Sequence, residues 1–327
     1  MSHEFEFVLG IDTSNYKTSA AIVSENGEIL ADERILLDVK AGERGLRQQD
    51  ALFQHVNNLP VVIRRCFDKV QGRGKLAGVS VSDKPRPVEG SYMPVFNAGV
   101  SAAESIAAAC SVQTFRFSHQ EGHIEAGKKS CGIKDGEDFL SYHLSGGTME
   151  FLKIISDKSG SFDVEIIGKT RDISYGQLLD RLGVLMGMRF PAGAEMDRIA
   201  LDSVKSSRLL KPVFVNGLEI NLSGLETQAM RALEHADSSE RSEIVREVFD
   251  RISESLMKLT DEGTAETGIS KVMFAGGVSS SRYLKNKLMN HYKTKDAEIL
   301  FAASDLAQDN GAGIAILGGK KLWQSNL

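Results

Sequence analysis

Two histidines four residues apart, in His119-Gln-Glu-Gly-His123, are the residues whose type and spacing point most directly to chemistry. On a helix, positions i and i+4 share a face, so both imidazoles can reach one ion. Imidazole nitrogen suits Zn or Fe, and such a site can keep positions open for a substrate. The pair directly follows a strand predicted over residues 113–117. Glu121 points off the histidine face. The metalloprotease pattern H-E-x-x-H needs its glutamate where Gln120 stands, so that chemistry is a poor match. An incidental pair of helical histidines is the plainer reading of the spacing alone.

Four other segments carry polar or backbone groups at turns. Gly10-Ile-Asp-Thr-Ser14 sets a carboxylate beside two hydroxyls, suited to a metal–phosphate or a water, although Asp, Thr and Ser are also ordinary turn formers. Ser145-Gly-Gly-Thr148 offers backbone N–H groups that a phosphate can approach; the plain alternative is a hairpin turn. Gly276-Gly277 ends an apolar run, with a backbone bare enough to lie along a nucleoside. Asp309-Asn-Gly311 opens the last helix, where Asp309 is either an N-cap or a carboxylate able to complete a two-histidine metal site.

The elements that must position these residues follow from periodicity and turn signals. Strands are predicted over 5–11, 18–23 and 28–36, the last two separated by Asn26-Gly27, a hairpin signal. A helix over 49–70 would bury Leu52, Val56, Leu59, Ile63 and Phe67, with Pro60 implying a kink or break. A strand at 76–81, a helix at 98–110 and the strand at 113–117 complete the first part. The second part repeats that order. Strands at 139–144, 149–156 and 162–168 precede helices at 175–188, 195–206 and 239–261. A strand at 271–275, a helix at 280–292, a strand at 298–302 and a helix at 309–320 follow.

Two similarly ordered halves predict an internally duplicated α/β protein of the actin/sugar-kinase/Hsp70 ATPase (ASKHA) type, two-lobed, with mixed sheets and an interlobe cleft. The expected lobes are 1–135 with 305–327, and 136–304. A dinucleotide-binding fold would begin βαβ with G-x-G-x-x-G, which Gly10-Ile-Asp12 does not supply.

Composition sets the setting. With 327 residues, 42% hydrophobic and 25% charged, the chain reads as an ordinary globular protein. A formal charge of −5 gives no global attraction to nucleic acid, so RNA contact needs a local basic patch or a partner. Short basic runs exist (Arg44 and Arg47, Arg64-Arg65, Lys84 and Arg86, Lys128-Lys129), each by itself more in keeping with a solvated face. Cys66, Cys110 and Cys131 form no C-x-x-C pair, as expected of reduced cytoplasmic thiols. No apolar run is long enough for a membrane span, and residues 1–8 do not resemble a signal peptide, so a cytoplasmic protein without membrane contact is expected.

Read together, strand–D-T-S, H-x-E-G-H-I, L-S-G-G-T, P-x-G, S-G-L-x-T, A-G-G-V and D-N-G-A follow one another over nearly the whole chain. That order resembles the TsaD/Kae1-like family, once described as O-sialoglycoprotein endopeptidases and understood as the enzymes that complete threonylcarbamoyladenosine on tRNA. The resemblance implies that His119, His123 and Asp309 hold a divalent metal, Fe or Zn. It implies that His143, Leu144, Ser145, Gly146 and Gly147 bind substrate, and that Asp180 and Gly193 are further adenylate-binding positions. The nucleotide ligand would be ATP, AMP or threonylcarbamoyl-adenylate, with tRNA adenosine-37 as acceptor and a homologous ASKHA-fold subunit as a partner.

The chain also departs from that pattern. The family's T-S-C-D-E-T turn is Thr13-Ser-Asn-Tyr-Lys-Thr18, which puts Lys17 in place of a glutamate. Its G-P-G-L-x-G loop is Lys84-Pro-Arg-Pro-Val-Glu-Gly90, S-G-G-H-T lacks the histidine, and Ser281 stands where the family has asparagine. These changes point to a divergent paralogue. They leave open a carbamoyltransferase with another acceptor, or a non-catalytic scaffold for an active homologue.

Overall fold

The computed structural model describes residues 5–14, 16–39, 46–70, 73–303, 306 and 311–323. The chain divides into two compact units, Met1–Lys134 with Asp305–Leu327, and Asp135–Ser304. The first holds β1 (Glu6–Thr13), β2 (Lys17–Ser24), β3 (Ile29–Leu36), α1 (Gln48–Val70), β4 (Lys75–Lys84), α2 (Phe96–Cys110), β5 (Gln113–Ser118) and α3 (His119–Cys131). The second holds β6 (Phe139–Leu144), β7 (Met149–Ser156), β8 (Phe162–Thr170), α4 (Tyr175–Leu185), α5 (Gly193–Asp202), β9 (Phe214–Asn216), β10 (Glu219–Asn221), α6 (Ser223–His235), α7 (Ser238–Thr267), β11 (Lys271–Ala275), α8 (Arg282–Tyr292) and β12 (Glu298–Phe301). The chain then returns to the first unit as α9 (Ala312–Trp323).

Both sheets are mixed and built on one plan. The first runs β3-β2-β1-β4-β5: an antiparallel meander, with β4 and β5 added parallel to β1. The second contains β8-β7-β6-β11-β12 in the same sense, extended beyond β8 by the β10-β9 hairpin. β1 is buried almost throughout because helices cover both its faces. Phe7, Leu9 and Ile11 pack with Leu59, Val62 and Cys66 of α1 and Ala103 of α2. The alternate positions face α9: a Cβ on Gly10 would lie 2.5 Å from the Ala315 nitrogen. Period-two alternation therefore puts Asp12 on the α9 side of the sheet. Helices α3 and α9 cross closely there, since a Cβ on Gly313 would sit 1.9 Å from the Gly122 carbonyl oxygen.

Helix α1 is unbroken at Pro60 and departs from expectation at Val56. It runs through Pro60 from Gln48 to Val70, because Pro60 lies on the exposed side and the Val56 carbonyl left without its helical partner can bond to water. Its fully buried stripe is Ala51, His55, Leu59, Val62, Cys66 and Val70; of the predicted residues Leu59 is buried and Leu52, Ile63 and Phe67 pack half-buried against the same core, but Val56 is 55% exposed. His55 and Cys66, polar by type, turn inward because the core offers them partners. The His55 Nδ1 lies 2.9 Å from Thr18 Oγ1 and its Nε2 3.1 Å from the Ser14 carbonyl oxygen. A carbonyl only accepts, so Nε2 carries the proton and Nδ1 accepts from Thr18. The Cys66 thiol donates to the Ala20 carbonyl at 3.2 Å; burial pushes its pKa up to about 12, which makes it a core group.

In the second unit the helices predicted at 175–188 and 195–206 end earlier, at Leu185 and Asp202, and α7 runs on to Thr267. The hairpin β9–β10 and helix α6 were not foreseen. Their signals are present but short: Asn216-Gly217 at the turn, and Leu225, Ala229 and Leu233 at helical spacing. Asp172 ties this addition down, accepting N–H bonds from Leu222 (2.9 Å), Ser223 (3.0 Å) and Ile173 (2.7 Å). Burial raises its pKa, but the N–H groups of Leu222, Ser223 and Ile173 and the Ser223 hydroxyl outweigh that and hold it at about 2. A carboxyl depressed in the folded state stabilises above its unfolded pKa, and that stabilisation is lost as pH falls through the folded value. Asp172→Asn is therefore expected to lower the urea midpoint at pH 7, with the gap to wild type closing between pH 3.8 and about 2. A pH-independent gap would contradict this account. Among the described residues no helix is long and apolar enough to cross a membrane.

Candidate functional site

In the first unit the site is built where β1 and β4 end side by side. The parallel register aligns Ile11 with Val81, so the next residues, Asp12 and Ser82, are neighbours at the carboxyl edge of the sheet. Ser82 Oγ donates to Asp12 Oδ1 at 2.5 Å and Ser14 Oγ donates to Oδ2 at 2.9 Å. Asp12 is fully buried, and these hydroxyls supply part of what its carboxylate needs away from water.

Helix α3 begins at that edge. Ser118-His-Gln-Glu121 is a capping box: Glu121 Oε2 accepts from the Ser118 N–H at 2.7 Å, and Ser118 Oγ accepts from the Glu121 N–H at 3.2 Å. This assigns Glu121 to capping, off the histidine face as expected. With the helix starting at His119, both rings share one face, their centroids 4.4 Å apart and the planes at 80°. His119 Nδ1 lies 3.0 Å from Asp12 Oδ1. The carboxylate accepts the Nδ1 proton, which leaves the lone pair of His119 Nε2 aimed at His123 Nε2, 3.0 Å away.

That geometry can act in two ways. With His123 protonated on Nε2 it is a simple hydrogen bond between rings. With both lone pairs turned inward it is a ligand pair, because two nitrogens each ~2.1 Å from one ion at a right angle lie ~3 Å apart. The donor set, two imidazoles with a carboxylate behind one of them, fits a borderline divalent cation. Asp309, the expected third ligand, lies outside the described residues. Among the described residues no group of three or more His, Cys, Asp and Glu side chains is arranged to hold a metal.

In the second unit, His143 and Leu144 end β6, and Ser145, Gly146 and Gly147 form the turn to β7. The Ser145 N–H donates to the Thr148 carbonyl at 2.9 Å, and the Thr148 N–H donates to Ser145 Oγ at 3.0 Å. Ser174, the N-cap of α4, donates to the Gly146 carbonyl at 2.9 Å and so braces the turn against that helix. Gly276 rests on the end of β6: its φ is +96°, and a Cβ there would meet the Leu144 carbonyl oxygen at 2.3 Å. Packing alone thus demands glycine at 276, whereas a Cβ on Gly277 would meet nothing within 4 Å.

Asp180 and Gly193 are brought together. Asp180 Oδ1 accepts the Ala192 N–H at 2.7 Å and also bonds the Gly193 N–H. Burial raises the Asp180 pKa, and those two N–H bonds offset only part of the rise. One residue that sequence reasoning missed lies on α5. Asp197 of α5 receives the N–H groups of Arg282 (3.1 Å) and Tyr283 (3.0 Å), and Ser281 Oγ also donates to it. Ser281 in turn accepts the Leu284 N–H at 3.1 Å, so the serine that replaces the family's asparagine is the cap of α8. Nothing local in Met196-Asp-Arg198 signals that role.

Solved structures show the fold. T. kodakarensis HypF aligns over 98% of this chain and 48% of its own, with a TM-score of 0.63 and 14% identity. Component A of (R)-2-hydroxyglutaryl-CoA dehydratase from Acidaminococcus fermentans aligns over 97% and 98%, with a TM-score of 0.55 and 14% identity. A ROK family glucokinase from Streptomyces griseus, solved with glucose and AMPPNP, aligns over 95% and 98% at a TM-score of 0.52 and 14% identity. The chain therefore has an α/β fold of two units with mixed sheets that resembles these ASKHA-type structures. In sequence it is 27% identical to the tRNA N6-adenosine threonylcarbamoyltransferase of Methanopyrus kandleri over 95% of this chain and 86% of that protein. It is 28% identical to a probable bifunctional tRNA threonylcarbamoyladenosine biosynthesis protein of Methanothermobacter thermautotrophicus, over 95% of this chain and 55% of that protein. The family profile described as TsaD, tRNA N6-adenosine threonylcarbamoyltransferase, matches residues 30–316, and the chain belongs to that family as a divergent member.

Proposed function

We propose that this chain transfers a threonylcarbamoyl group from its adenylate to adenosine-37 of a tRNA. The N6 amine of the adenine attacks the carbamoyl carbonyl carbon, the new N–C bond forms, the C–O bond to phosphate breaks, AMP leaves, and the amine proton goes to solvent. His119, His123 and Asp309 would hold a divalent cation, Fe or Zn, which would supply Lewis-acid polarisation of an oxygen. Asp12 keeps His119 in the tautomer that presents Nε2, and Ser82 and Ser14 hold the Asp12 side chain in orientation.

In the second unit, His143, Leu144, Ser145, Gly146, Gly147, Asp180, Gly193, Gly276 and Gly277 serve the adenylate, ATP or AMP. The braced turn at 145–147 presents N–H groups to phosphate, and Asp180 fixes the segment that leads into α5. A homologous ASKHA-fold subunit is the expected protein partner. The observation that carries this reading is the Asp12–His119–His123 chain of contacts, in a member of this transferase family.

The test supplies threonylcarbamoyl-adenylate labelled in threonine and an unmodified tRNA transcript, with and without a homologous subunit. One labelled nucleoside per AMP released is the expected result. AMP release with label on a small molecule or protein would instead favour a carbamoyltransferase with another acceptor. Absence of AMP release, with stable binding to the homologous subunit, would favour a scaffold.

A further inference from the structure

The segment 84–95 replaces a glycine-rich loop and is fastened at both ends to the edge that carries the histidine pair. At its start, Lys84 pairs with Ser118, the residue before His119, and the Gln120 N–H donates to the Pro85 carbonyl at 3.1 Å. At its end, Thr13, the residue after Asp12, donates through Oγ1 to the Val95 carbonyl at 3.1 Å. The same Thr13 Oγ1 accepts the Gly99 N–H at 3.2 Å. Within the loop, the Arg86 N–H donates to Ser91 Oγ at 3.1 Å and the Ser91 N–H to the Val88 carbonyl at 3.2 Å. Lys84 is half-buried at the root, Arg86 is exposed, and Glu89 is the one acidic residue in residues 84–93. Tyr92 is 64% exposed, yet Asn97 Nδ2 donates to its hydroxyl at 3.1 Å, which restrains an open ring face.

Cations beside a restrained, solvent-facing aromatic ring are the combination that grips unpaired nucleic acid, with charge on the phosphates and the ring under a base. We propose that residues 84–93 form the contact for single-stranded RNA next to the histidine pair, with Lys84 and Arg86 on phosphates and Tyr92 stacking on a base beside the acceptor. This rests on the tRNA reading above and assigns the acceptor contact within it.

The experiment titrates the protein with a fluorescein-labelled anticodon stem-loop at several salt concentrations, and measures KM for the full tRNA in the transfer assay. Lys84→Gln with Arg86→Gln is expected to flatten the log–log salt dependence by ~1.4, the share of two single-strand phosphate contacts. Tyr92→Ala is expected to weaken binding by roughly 5- to 100-fold, as loss of one stacking platform does, while Tyr92→Phe keeps binding close to wild type. Thermal midpoints within a degree or two of wild type, about the shift a few tenths of a kcal/mol produces, would show that the variants fold. A wild type that transfers to tRNA while these variants keep its KM and salt slope overturns the loop assignment alone. A wild type that neither binds the stem-loop nor transfers overturns both this assignment and the reading beneath it.

Discussion

Replacing His119 and His123 together by alanine is expected to strip the chain of bound divalent metal and to lower transfer at least ~100-fold, because the only two imidazoles of the proposed ligand set are gone. Metal content after anaerobic purification, read by mass spectrometry, should fall from near one ion per chain to near zero. Asp12→Asn is the sharper probe. It leaves both histidines in place but removes the charge that accepts the His119 Nδ1 proton. Losses of roughly 10- to 100-fold in metal affinity are typical when such a supporting carboxylate is altered. A competition titration with a chromogenic chelator measures this without any turnover. Double-alanine protein that still carries stoichiometric metal would end the metal proposal. Asp12→Asn that binds metal as wild type does would remove the carboxylate from it while leaving the histidines.

Phe151→Ala is expected to cost the second unit ~3–5 kcal/mol, among the largest losses for a core truncation. Phe151 is fully buried and lies flat on Tyr142, with centroids 4.1 Å apart and planes within 1°. Tyr142 stacks on Phe274 at 4.6 Å, and Phe274 on Phe301 at 5.0 Å, so one aromatic column crosses β7, β6, β11 and β12. On the far side, helix α7 admits the Phe151 ring only because residue 263 is glycine: a Cβ there would sit 2.3 Å from Cε1. Gly263→Val alone should therefore destabilise by about 1–3 kcal/mol through overpacking. Combined with Phe151→Ala it should cost less than the sum, since the valine fills part of the space the ring leaves. Urea unfolding of the four proteins measures the coupling. Strict additivity would mean that the ring and the glycine do not share that space.

The two meanders, the parallel strands added to each, and the histidine pair were legible in the sequence, because they rest on local rules. Asn26-Gly27 dictates a tight turn, alternating or continuous apolar runs dictate strands, and spacing of four dictates a shared helical face. Helix α1 shows where those rules stop. Hydrophobic type placed Val56 inside, whereas the neighbouring His55 is the residue buried, because a hydroxyl and a carbonyl in the core supply both its ring nitrogens with partners. The β9–β10 hairpin and α6 were missed since strands of three residues carry too little periodicity to stand out from a loop.

What the sequence determined by itself is the pair, His119 and His123, and the helical face that the two imidazoles share. Tertiary structure alone decided which way those rings point. Asp12 lies 107 positions from His119 in the chain, and Ser82 lies 70 positions from Asp12. They meet because β1 and β4 run parallel in register and α3 starts at their common edge. A proton on Nδ1 is held there by a buried carboxylate that no local spacing predicts, and that proton leaves Nε2 of His119 facing His123.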